Sequence, residues 1–117
     1  MPRKSECRVD CMGFVANDPQ LRQANGTPVI SLVVMENEYW KDSEGNRKER
    51  AHAHNVSFWG PYAETVDKLV QKGAYVRVKG NLRYRPIEGQ QYDKTAEVRG
   101  DEFYLLDDPR ERGESTN

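Results

Sequence analysis

A strict two-residue alternation governs residues 74–85. Ala74, Val76, Val78, Gly80, Leu82 and Tyr84 fall on one side, and Tyr75, Arg77, Lys79, Asn81, Arg83 and Arg85 on the other. A helix would scatter these residues around its axis, whereas a strand sorts them into an apolar face and a cationic one. An apolar face of that length has to be covered, so the remaining chain must supply partner strands and a cap. With 117 residues the chain is sized for one domain. Its longest unbroken apolar runs, residues 32–35 and 103–106, are too short to span a bilayer. Residues 1–6 have no apolar stretch behind their charges, so no secretory leader is expected.

The same period of two recurs elsewhere. In residues 6–15, Cys7, Val9, Cys11 and Val15 oppose Arg8, Asp10, Met12 and Phe14. Asn17-Asp18-Pro19 and Asn25-Gly26-Thr27-Pro28 are turn signals, and the polar stretch between them reads as loop. Residues 29–40 form a second strand, Asp42-Ser43-Glu44-Gly45-Asn46 a turn, and residues 49–60 a return strand with His54, Val56 and Phe58 on one face. Residues 61–71 form the one helix: Pro61 suits its first position, Tyr62, Val66, Leu69 and Val70 recur at helical spacing, and Gly73 is placed to end it. After the strand at 74–85 and a turn at 86–89, residues 91–98 form a fifth strand, which Phe103 to Leu106 extend.

Three strands, a helix and two strands predict an all-β fold: a five-stranded antiparallel barrel with one helix between strands 3 and 4. Closing the sheet removes its edges, and this is the architecture of the oligonucleotide/oligosaccharide-binding (OB) fold. Residues 1–106 are expected to form the domain, and 107–117 a polar, disordered tail.

The total charge, −1, hides an asymmetry. Residues 68–99 hold eight bases and three acids, and residues 101–117 hold six acids and two bases. On the strand at 75–85, Arg77, Lys79, Arg83 and Arg85 form a row at roughly 6.5–7 Å steps, matched to an extended polyanion. Such a face can equally be a solvated surface, or pair with acids of another subunit. Trp59 lies on the polar side of its strand, and Trp40 beside Lys41 where a strand enters a charged hairpin. Indoles next to a cationic groove are the equipment of single-strand binders; packing under the hairpin or at a subunit contact is the alternative.

No nucleophile elbow, phosphate loop or zinc-protease motif occurs, so a non-catalytic protein is expected. Cys7, Cys11, His52 and His54 lack the spacing of a structural zinc site, so no metal or cofactor is expected and the thiols read as reduced.

Taken in order, Asn17-Asp18-Pro19, Asn25-Gly26, Tyr39-Trp40-Lys41-Asp42, His54-Asn55-Val56-Ser57-Phe58-Trp59-Gly60, Ala63-Glu64, Lys72-Gly73 and Gly80-Asn81-Leu82-Arg83-Tyr84-Arg85 resemble bacterial single-stranded DNA-binding proteins over roughly residues 7–106. The resemblance implies an OB-fold that binds single-stranded DNA without sequence preference in replication, recombination or repair. It implies a homo-oligomer, a tetramer rather than a dimer, in the bacterial cytoplasm with the nucleoid, an organellar role remaining open.

By the same resemblance Trp40 and Trp59 are stacking residues, Lys72, Arg83 and Arg85 phosphate-binding residues and His54 an oligomer-interface residue; the residues themselves add Lys41, Arg77 and Lys79 as phosphate-binding candidates and Tyr75 as a further interface candidate. Ala53 and Ile87 stand where the family carries further tryptophans, Asn55 replaces an arginine, and Arg77 and Lys79 replace neutral or acidic residues. The family's acidic tip ending in Pro-Phe is absent, so partner recruitment through it is not expected. Three alternatives stay open: a dimeric primosomal replication protein that binds DNA weakly and grips a helicase or its loader, a protein-interaction module using Trp59 and residues 75–85, and, remotely, a nuclease.

Overall fold

A computed structural model describes residues 3–86 and 94–111. Six strands and one helix follow each other as β1 (Arg8–Val15), β2 (Leu21–Ala24), β3 (Thr27–Lys41), β4 (Arg47–Trp59), α1 (Pro61–Leu69), β5 (Tyr75–Pro86) and β6 (Lys94–Asp107). The all-β expectation holds, and the helix follows the third of the long strands, now β4. The neighbour order β1-β5-β6-β4-β3, with β1 also paired to β3, closes a ring of five strands, and β2 hangs on the free side of β3.

Two details correct the sequence reading. The polar stretch taken as loop holds β2, whose four residues pair with Thr27 to Ile30. Its backbone hydrogen bonds come from β3, so polarity did not keep it out of the sheet. The ring is also not wholly antiparallel: β4 and β6 run parallel where Val56 faces Val98 and Ser57 faces Arg99.

The ring closes where β1 changes partner. Arg8 to Phe14 pair with β5, and Phe14 and Val15 pair with Met35 and Val34 of β3. Gly13 sits at this crossing, where any Cβ would collide with the Met35 carbonyl. Asn17 locks the corner, accepting the Val33 N–H at 2.9 Å and donating to the Ser31 carbonyl at 3.2 Å.

Alternate residues of each strand fill the barrel. Ile30, Leu32, Val34, Val56, Phe58, Val76 and Val78 are fully buried. α1 caps the end through Ala63 and Val66, with Val70 just beyond its last turn. Of the expected stripe Val66 and Val70 are buried, whereas Tyr62 and Leu69 are exposed and Ala63 takes the inward place. The Tyr62 hydroxyl accepts the Phe103 N–H at 2.9 Å, tying α1 to β6. The helix stops at Leu69, two residues earlier than expected, and Gly73 (φ 90°) turns the chain afterwards.

At the other end, Asp42 shapes the β3–β4 turn as anticipated: its Oδ1 accepts the N–H groups of Glu44 and Asn46 at 2.9 and 2.8 Å. β6 runs past residue 106 to Asp107, and Asp108 and Pro109 are buried behind it. Arg110 clamps Asp108 at 2.8 Å and donates to the Leu69 carbonyl at 3.3 Å. Ile87 and the last six residues of the tail lie outside the described residues. No helix among the described residues is long and apolar enough to cross a membrane.

Candidate nucleic-acid interface

β4 ends at Trp59 because Gly60 (φ 78°) turns the chain into α1. Val56 and Phe58 point into the barrel, so Ser57 and Trp59 point out. The indole Nε1–H donates to Ser57 Oγ at 3.2 Å, and 37% of the residue remains exposed. The guanidinium of Arg99, on β6, lies 4.8 Å from the indole centroid. Around the outside of the barrel, Ser31, Ser57, Arg99, Asn81 and Arg8 are successive cross-strand neighbours.

The second indole lies at the far end of the same ladder. Trp59 faces Val29, and Trp40 faces Lys48. From Val29 to Trp40 the strand runs about 36 Å at ~3.3 Å per residue. Trp40 also belongs to the opposite alternation, the one that carries Ile30, Leu32 and Val34 into the core. Past the barrel that side is open among the described residues, and Trp40 is 40% exposed. Tyr39, Trp40, Lys41 and Arg47 line a shallow pocket beside the turn. The Arg50 guanidinium stands 5.7 Å from the Trp40 ring.

The β5 cations all take the outward side, as their alternation requires, but their charges are not equally free. Arg77 donates to both Asp10 oxygens, at 2.9 and 2.6 Å. That hydrogen bond, with the Arg77 and Lys79 charges, holds the Asp10 carboxyl below its usual range against the opposing effect of desolvation. Arg85 pairs with the buried Glu97 at 3.0 Å. Arg83 donates to the Leu82 carbonyl at 2.9 Å and faces solvent. Lys79 Nζ stands 6.0 Å from the Tyr104 ring. Lys72, in the turn after α1, and Lys41, at the end of β3, are exposed and form no ion pair among the described residues. The expected row is thus half neutralised from within the chain.

Two arginines missed in the sequence lie against the indoles, Arg99 and Arg50. Arg99 stood in view as one of the eight bases of residues 68–99, just past the expected fifth strand, but its nearness to Trp59 depends on the parallel β4–β6 pairing.

The two candidate interface residues occupy separate places. Tyr75 packs on Phe14 of β1 with ring centroids 4.8 Å apart. Met12 and Tyr104 lie exposed on the same outer face. His54 contacts Glu36 at 2.8 Å, and His52 contacts Glu38 at 2.9 Å. Cys11 is buried, its thiol pushed up by desolvation and then by Glu36 and Asp10, while Cys7 is exposed. Among the described residues no group of three or more His, Cys, Asp or Glu could hold a metal ion.

Comparison with known proteins places this geometry. Residues 7–106 match the model of the single-strand binding protein family. Single-stranded DNA-binding protein 1 of Xylella fastidiosa is 32% identical over 103 residues, 85% of this chain and 76% of the relative. Single-stranded DNA-binding protein 1 of Chlorobaculum tepidum is 34% identical over 79 residues, 67% of this chain and about half (49%) of the relative. Among solved structures, the Plasmodium falciparum SSB in complex with ssDNA superposes with a TM-score of 0.79 at 25% identity, covering 92% of this chain and all of that one. A single-stranded DNA binding protein from Thermus aquaticus gives 0.73 at 26% identity over 86% of this chain and half of that one. The ring of five strands is therefore an OB-fold, and the chain belongs to the single-strand binding protein family.

Proposed function

We propose that this chain binds single-stranded DNA without strong sequence preference and protects it during replication, recombination or repair. Bases stack on Trp59 and Trp40, and Lys41, Lys72, Lys79 and Arg83 neutralise phosphates. Arg77 and Arg85 join them only by leaving Asp10 and Glu97. The observation that carries this reading is the outward, open-faced Trp59 of a single-strand-binding-family barrel. Stacking supplies affinity that tolerates any base, since every base has a π-face, and phosphate contacts supply salt dependence. The protein acts without catalysis, by occupying the strand.

The exposed Met12, Phe14 and Tyr104 beside Tyr75 favour self-association through the outer face of β1, β5 and β6, as a homotetramer. Titration with dT oligomers of rising length, read by anisotropy and by the mass of the complex, tests both parts. Saturable binding that weakens with salt, on a four-copy particle, supports them. A two-copy particle with weak binding supports the primosomal alternative, and absence of binding at low salt supports a protein-interaction module.

A further inference from the structure

Trp59 is held by two contacts from different strands. Ser57 of β4 takes the indole N–H at 3.2 Å, and Arg99 of β6 lays its guanidinium 4.8 Å from the ring centroid. The parallel pairing sets Ser57 and Arg99 side by side, so one contact holds an edge of the indole and the other a face. Arg8, Arg77 and Arg85, on the same outer surface, are each paired with carboxylates. Arg99 has no carboxylate partner among the described residues, and its charge is engaged by the ring alone.

We infer that Arg99 is a positioning residue for base stacking: it holds the Trp59 indole in one orientation, covers one of its faces and leaves the other for a single base, while its charge stays available to the adjoining phosphate. This rests on the single-strand-binding function proposed above. A planar, weakly hydrated guanidinium can stack on a ring and meet a phosphate in turn, and an ammonium reproduces only the charge. Fixing the indole before the strand arrives removes an ordering cost from binding. Beyond Arg99 the outer surface continues to Asn81, and Arg83 lies two residues further along β5, which gives the backbone a cationic exit from the stacked base.

The test is a salt-dependent titration of oligo-dT into the unsubstituted protein, Arg99→Lys, Arg99→Ala, Trp59→Ala and the Trp59→Ala/Arg99→Lys double variant, with urea midpoints to confirm equal folding. Arg99→Lys is expected to bind roughly three- to tenfold more weakly with the slope of log affinity against log salt unchanged. Arg99→Ala is expected to lose in addition about one unit of that slope. In the Trp59→Ala background the effect of Arg99→Lys disappears. Full affinity in Arg99→Lys overturns the inference, as does a loss that persists undiminished without Trp59. Failure of the unsubstituted protein to bind overturns the proposed function and this inference with it, and is told apart because it precedes any substitution.

Discussion

Arg77 and Asp10 form a two-point ion pair between β5 and β1, with donor–acceptor distances of 2.9 and 2.6 Å. Because the Asp10 carboxyl is held below its ordinary range, it stays charged throughout the neutral region and keeps Arg77 occupied. Asp10→Asn leaves the shape nearly unchanged and releases the guanidinium. Oligo-dT affinity should rise, with the salt slope steeper by up to about one. An unchanged slope in an anisotropy titration would place Arg77 off the path of the DNA.

Trp59 and Trp40 stand at opposite ends of the β3–β4 ladder, so their contributions to binding should be independent. Trp59→Ala and Trp40→Ala are each expected to weaken long oligo-dT by about 1–3 kcal/mol, and the losses should add in the double variant. An oligomer too short to reach both indoles should respond to one substitution and ignore the other. Affinities measured over a length series decide this, and equal responses at every length would contradict it.

Gly100 lies where β6 passes over Phe58, and a Cβ there would come within 2.5 Å of the buried ring. Gly100→Ala therefore overfills a core in which Phe58 is fully enclosed between Tyr62 and Phe103. A loss of about 1–3 kcal/mol is expected, read as a lower urea midpoint with unchanged m-value. A midpoint equal to that of the parent would show that the ring gives way without cost.

Asp101 is held low by the Arg8 hydrogen bond and charge, as Asp10 is by Arg77. A carboxylate whose folded pKa lies below its unfolded one adds stability above the unfolded value, about 4, and loses it as pH falls through the folded value. Urea midpoints should thus change little from pH 7 to 5 on account of these two groups and fall below about pH 4. In Asp10→Asn/Asp101→Asn part of that acid-side fall should be missing. Both pairs are exposed, so the effect at neutral pH is small. An identical acid profile in the variant would assign the fall to other carboxylates.

How much of this was legible depended on distance along the chain. The inward set Val76, Val78 and Gly80 and the outward set Arg77, Lys79 and Arg83 follow from alternation alone. The Asp42 turn was equally clear, because its hydrogen bonds reach only to Glu44 and Asn46. β2 was not, since its four residues pair only because β3 lies beside them. The apolar stripe of α1 was legible at Val66 and Val70, but the barrel mouth buries Ala63 while Tyr62 and Leu69 stay exposed, and helical spacing alone could not tell which flank of the stripe would face the barrel.

By itself the sequence determined the repertoire: strands with one apolar and one polar face, a short capping helix, an outward indole at Trp59 with a second beside the hairpin at Trp40, and a row of outward cations. Tertiary structure decided which of those groups meet. It brought Asp10 to Arg77, Glu97 to Arg85 and Arg99 to Trp59. It also set the two indoles at opposite ends of one ladder. The physical reason is that the direction of a side chain is a local property of the backbone, set by its own dihedral angles. The partner it finds is set by strand pairing between residues far apart in the chain, and no short-range periodicity encodes that.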